Sequence, residues 1–272
     1  MTPTIPLQPN LLTESRRRLR TAAATWFAVA VAGQWAFVAF IVLYFTPPLL
    51  QGDPLAMNTK PHITGWAPGD AVGNFQFVGH VFLGALVTFS GVLQLVPALR
   101  QRWSALHRWN GRAFMLAALA ASLTGFYLTW VRGSQLNLPS ALSTSLNGAL
   151  ILVFVALAWR AAWRGDIALH RRHALRAWVL VNGVWFLRIG IMLAGLGLAP
   201  FGVRMGYDSA VFLGVSFASW IVPLALVQLY LVAERSPRAA VPNAIAGLLF
   251  LLAGLTAAGA VAAVAFMWGP YL

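Results

Sequence analysis

The chain contains no cysteine, a single lysine (Lys60) and only six acidic residues among 272. Without cysteine there is no disulfide, no thiolate metal site and no thiol nucleophile, and iron–sulfur clusters and covalently attached haem c are excluded as well. The acids are Glu14, Asp53, Asp70, Asp166, Asp208 and Glu234, all in connecting segments or flanking apolar runs. No apolar run therefore carries the carboxylate that a proton-coupled pump usually needs. Paired acids, a glycine-rich nucleotide loop, a zinc-protease motif and a Ser-His-Asp order are missing too. Charged residues make up only 9% of the chain, too few for the surface of a soluble domain of this length.

What is present is apolar. Hydrophobic residues account for 60% of the chain and the mean hydropathy is +0.74. A bilayer core needs roughly 20 apolar residues per helical span. Seven runs qualify, about 21–46, 75–97, 112–132, 144–163, 174–197, 209–233 and 244–268. The expected fold is all-α, a polytopic integral membrane bundle of seven transmembrane helices in one domain, residues 21–272. Residues 1–20 are expected to be a disordered cytoplasmic tail. The apolar stretch after them is too long for the core of a cleavable signal, so the first helix is retained.

The net charge of +13 does not point to nucleic acid, because the arginines lie between apolar spans rather than on a soluble, aromatic-studded surface. They act as topology signals, since cytoplasmic loops retain Lys and Arg. With the amino terminus inside, fifteen arginines fall on the inner side, against Lys60, Arg132 and Arg204 outside. One lysine against eighteen arginines suggests a GC-rich bacterial genome, hence a bacterial inner (plasma) membrane. The long outer connection, 47–74, carries Asp53, His62, Trp66 and Asp70 and reads either as a lid over the bundle or as an irregular interfacial cap.

Two patterns carry candidate chemistry. In the second span, Gln76, His80, Gly84, Thr88, Gly91 and Gln94 fall in one band about 120° wide at about 100° per residue. Such a stripe suits close helix packing in lipid or the lining of a ligand cleft. Secondly, Ala105-Leu106-His107-Arg108 is echoed by Ala168-Leu169-His170-Arg171, and Arg112-Ala113-Phe114 by Arg176-Ala177-Trp178. The echo implies that spans two–three and four–five are related hairpins forming a central four-helix unit. Ser104 and Asp166 are expected N-caps, which puts His107 and His170 in first helical turns, where the helix dipole favours the neutral imidazole that ligates metal.

Two imidazoles among Arg108, Arg112, Arg171, Arg172 and Arg176 suit a bis-histidine haem b with arginine-paired propionates. They equally suit an anionic lipid headgroup, a quinone-like ligand, or plain interfacial anchoring. His80 lies about 26 Å of helix from Pro97 and cannot share a metal with His107. It would serve a second, outer site as an iron ligand. Arg188 is the one cation well inside a span, a functional candidate by default, with snorkelling to the outer interface as the alternative.

The segment from His80 to Arg188 resembles the bacterial membrane-protein family known as domain of unknown function 2306. The resemblance rests on His80, Gly84, Gly91, Gln94, Arg100, the element His107-Arg108-Trp109-Asn110-Gly111-Arg112, Gly165-Asp166, His170-Arg171-Arg172-His173-Ala174-Leu175-Arg176, and Arg188. His173 and Ala174 depart from the Trp and Met usual there, which makes His170 the safer ligand. The resemblance implies the fold and transfers no reaction.

Three functions follow as expectations. The first is a haem-b-binding membrane redox protein, with His107, His170 and His80 as iron ligands and Arg108, Arg112, Arg176 and Arg188 as cofactor-binding residues. The second is a non-redox protein that binds or moves an amphiphile or lipid. The third is a structural or assembly subunit. The bilayer is the expected partner in each, with a quinone or lipid as candidate ligand.

Overall fold

The computed structural model describes residues 9–59, 65–202 and 205–272; His62, Lys60 and Arg204 lie outside them. Among the described residues the regular structure is entirely helical. The helices are α1 (Pro9–Leu50), α2 (Ala71–Leu95), α3 (Pro97–Arg102), α4 (Ser104–Phe126), α5 (Leu138–Trp163), α6 (Ile167–Val181), α7 (Gly183–Leu198), α8 (Ala210–Ala233) and α9 (Ala240–Ala262). Both α4 and α9 run on into π-helical turns, Tyr127–Val131 and Ala263–Trp268. Seven helices among the described residues are long and apolar enough to cross a membrane. This is an all-α bundle of multi-pass membrane type.

Two sequence expectations change. Residues 9–20, expected to be disordered, are the first turns of α1, a helix of 42 residues. Ser15, Leu19 and Ala22 recur at helical spacing and are buried, the last two in a cluster with Ala233, Ala246 and Leu249. The arginines between them mask that stripe, which is why the segment reads as a tail.

The fifth span is also interrupted. Asn182 turns its amide onto its own helix, Nδ2 donating to Trp178 O at 2.8 Å, a side-chain bond that competes with the backbone ladder. The Leu180 carbonyl accepts from Asn147 Nδ2 at 3.1 Å. A side chain inserted into the ladder breaks a helix, so α6 ends at Val181 and α7 starts at Gly183.

The central unit has its own core. α2 packs on α4, α5 on α6, and α4 on α5, and one cluster joins Val87, Phe114, Ala118, Val155, Ala177 and Trp178 across all four. α1 packs along α9, and α8 along α7 and α6. At one end, Arg16 Nη2 donates to Ser236 O at 3.3 Å and Arg171 pairs with Glu234. The start of α1, the α5–α6 turn and the α8–α9 turn therefore meet there, at what we call the arginine-rich end.

The opposite end is held by Arg132, which donates to Asp70 Oδ2, Gly65 O and Asn74 Oδ1, each at 2.9 Å. Asn58 brackets Trp66 through both its N–H and its carbonyl at 2.8 Å, and Met57 is buried beside Tyr44 and Phe45. The connection between α1 and α2 is thus folded onto the bundle over the described residues.

Candidate functional site

The α5–α6 turn sets the first histidine. Gly165 takes a φ of +74°, a left-handed conformation that closes the helix end and that a side chain would strain. Asp166 Oδ1 then accepts from Leu169 N at 2.9 Å, the expected N-cap. One turn later His170 Nδ1 donates to Ala158 O at 2.9 Å; a carbonyl only accepts, so Nδ1 carries a proton, and in the neutral imidazole the lone pair is on Nε2.

The matching start of α4 is built differently. Ser104 is not a cap: it is the first residue of α4, and the cap position falls on Trp103, whose φ of −131° and ψ of 67° break the chain from α3 and whose side chain makes no cap bond. His107 is held instead through its backbone, its carbonyl accepting from Gln94 Nε2 at 3.1 Å, while its Nδ1 is buried with no hydrogen-bond partner among the described residues. Asn110 Nδ2 donates to Ser90 O at 2.9 Å, so this turn is tied to α2 from both sides.

Both histidines line one cavity of about 950 Å³ at the arginine-rich end. Its mouth carries Arg20, Arg100, Arg108, Arg112 and Arg171. Arg112 lies over the Trp109 ring at 4.7 Å. Of these five, only Arg171 makes a salt bridge among the described residues, to Glu234, and none of the lining residues is acidic. The depth is apolar and aromatic, with Trp26, Phe27, Phe114 and Trp178. Trp26 meets Trp178 edge-on at 6.2 Å and Phe27 approaches it at 5.9 Å. A smaller hollow of about 160 Å³ beside Leu11 and Asn243 has neither histidine nor aromatic lining.

The expected site residues separate into two groups. His107, His170, Arg108 and Arg112 share the cavity. Arg176 does not line it: its Nη2 donates to Gln228 Oε1 at 2.6 Å, and its guanidinium lies over Phe154. His173 stacks on the same ring at 5.9 Å. His80 belongs elsewhere, bonded to Thr124 Oγ1 at 3.0 Å, and Arg188 lies over Phe37 at 4.9 Å.

The α2 stripe is a packing seam over part of its length, where Thr88 and Gly91 are buried. A Cβ on Gly91 would come within 2.9 Å of Phe114 and Trp178, so close helix approach fixes glycine there. Only its last turn, Gly91 and Gln94, reaches the cavity. The site residues expected from the sequence all lie between His80 and Arg188. The cavity also draws Arg20, Trp26 and Phe27 from α1 and Pro223, Val227 and Tyr230 from α8. A proline inside an apolar span and a tyrosine four residues before Glu234 were the available signals.

A polytopic helical membrane protein with a cationic, histidine-bearing cavity at one end is the class that fold and site define. A sequence profile described as "Predicted membrane protein (DUF2306)" matches residues 77–231. That is more than half of the chain, from the first turns of α2 to the end of α8, and the chain belongs to this family. No curated protein and no solved structure matches it.

Proposed function

We propose that the protein binds an anionic amphiphile in the cavity at its arginine-rich end. The observation that carries this reading is the distribution of charge: four arginines without salt bridges among the described residues line an aromatic, acid-free chamber. Guanidinium groups pair bidentately with carboxylate and phosphate, and the rings below accept an apolar body. The membrane we infer is the bacterial inner membrane, with the arginine-rich end cytoplasmic, following the charge bias.

A second, narrower reading is favoured by His170. An imidazole whose Nδ1–H is fixed by a carbonyl presents Nε2 as metal-ligating histidines do, and His107 lines the same chamber. The occupant on this reading is haem b, with His107 and His170 toward the iron and Arg108 and Arg112 toward the propionates, making the protein a membrane electron carrier. Bound haem would supply one-electron chemistry; the chain's part is to hold it, neutralise its carboxylates and exclude water.

Native mass spectrometry of the detergent-purified protein tests the first reading. A retained anionic lipid or other anionic amphiphile is expected, lost in the Arg100→Ala, Arg108→Ala, Arg112→Ala triple variant. Retention unchanged in that variant overturns it. An absorption spectrum tests the second: a Soret band lost in His170→Ala supports haem, whereas a folded, colourless protein from haem-replete cells removes haem and leaves the amphiphile reading standing.

A further inference from the structure

The cavity at the arginine-rich end has chemically unlike walls. α1, α3 and α4 contribute Arg20, Arg100, Arg108 and Arg112, guanidiniums that only donate. α6 contributes His170 and Arg171, but both terminal nitrogens of Arg171 are taken by Glu234, each at 2.9 Å. That leaves the imidazole as the free polar head on this wall. His170 is half-buried and its Nδ1 is fixed on Ala158 O at 2.9 Å. Its Nε2 has no partner among the described residues and is not sealed off from the space that the ring lines. From His170 the wall runs on through Ala174 and Ala177 to Trp178, about 12 Å of helix, which gives an apolar body room beneath the charged head.

A cavity that donates from three elements and accepts from a fourth selects the head of its ligand. A carboxylate or a phosphodiester is ionised at neutral pH and has no proton for Nε2. An ammonium head can donate, yet it meets four cations and no acid in the lining. A phosphomonoester has a second pKa of about 6, so it stays anionic while its last proton exchanges near neutral pH. One of its oxygens can share that proton with Nε2, whichever of the two formally holds it, and the others accept from guanidiniums bidentately.

Resting on the amphiphile reading above, we propose that the ligand is a lipid phosphomonoester, its phosphate held among Arg20, Arg100, Arg108 and Arg112 and sharing its last proton with His170 Nε2.

The test is native mass spectrometry of the full-length protein in non-ionic detergent with equimolar dodecyl phosphate and dodecyl methyl phosphate. The monoester adduct is expected in about tenfold excess or more, the worth of one charge-assisted hydrogen bond, a comparison that needs no variant to fold. In His170→Asn the amide keeps a donor near Ala158 O but offers nothing at Nε2, so the excess should vanish while both adducts persist. Equal adducts in the parent, both lost in the triple arginine variant, overturn the phosphomonoester and leave the broader amphiphile reading standing. An excess unchanged in His170→Asn, stronger binding of dodecanoate or of a glycerol-headed dodecyl phosphodiester, or no adduct of either ester also overturns the proposal. In the last case the retained amphiphile sought above decides the broader reading by itself.

Discussion

Arg171 and Glu234 face each other through both pairs of atoms, Nη1 to Oε2 and Nη2 to Oε1, each at 2.9 Å. They join the first turn of α6 to the end of α8, 63 residues away in sequence. Tyr230 completes the group by donating to Glu234 Oε1 at 2.9 Å. Burial pushes the Glu234 carboxyl up, but the hydrogen bonds from Arg171 and Tyr230 and the charges of Arg171 and Arg20 outweigh it and hold the carboxyl below its ordinary value.

A carboxyl depressed in the folded state binds fewer protons there than in the unfolded chain, so its contribution is present above the ordinary carboxylate range and is lost as pH falls through the depressed value. Thermal unfolding in detergent should show Glu234→Gln less stable than the parent at neutral pH. The two curves should converge as the medium is acidified below the folded-state value. A gap that persists or widens at acid pH contradicts this account.

The α2 stripe supplies an internal comparison. Gly91→Ala forces a methyl against two rings at 2.9 Å and should cost about 1–3 kcal/mol by overpacking. Gly84→Ala meets nothing within 4 Å and should be near neutral. Unfolding midpoints of the two variants in the same detergent settle the contrast.

Arg132 is 5% exposed at its side chain and secures three partners from the α1–α2 connection and α2. Removing one member of a buried pair typically costs about 3–5 kcal/mol; because Asp70 is 37% exposed, the lower end applies to Arg132→Leu. Limited proteolysis should then cut between residues 51 and 70 faster than in the parent, with cleavage elsewhere unchanged.

The break at Asn182 should be sensitive to what fills it. Asn147→Leu removes the donor to Leu180 O and sets a larger apolar group beside Gly183, whose Cβ position is already 2.7 Å from Asn147 Nδ2. Loss of one buried bond costs roughly 1–3 kcal/mol. Deuterium exchange should rise at residues 180–186 before it rises in α5; uniform exchange along both helices would argue against a local role for Asn147.

Much of this was legible in the sequence because lipid leaves few choices. Runs of some 20 apolar residues become helices, and the ALHR echo placed His107 and His170 in comparable first turns, both now lining one cavity. What escaped depends on contacts the pattern does not encode. Arg20 reads as a topology charge until Leu19 and Ala22 are seen packing on α8 and α9. Asn182 reads as one polar residue in an apolar run, and its effect emerges only with Asn147 opposite. Ser104 has the right type for a cap but the wrong position, because the break after the short α3 falls one residue earlier, at Trp103, and Ser104 is already the first residue of α4.

The two echoed histidines, alike in sequence, are unlike in wiring. His170 has its ring tautomer set in advance by Ala158, whereas His107 is steadied through its main chain and keeps an uncommitted Nδ1. A guest of the proposed kind that bridged them would meet one prepared face and one adaptable face. On the proposed reading the two ends of such a molecule would meet unlike partners, an asymmetry that a faithful sequence duplication on its own would have erased.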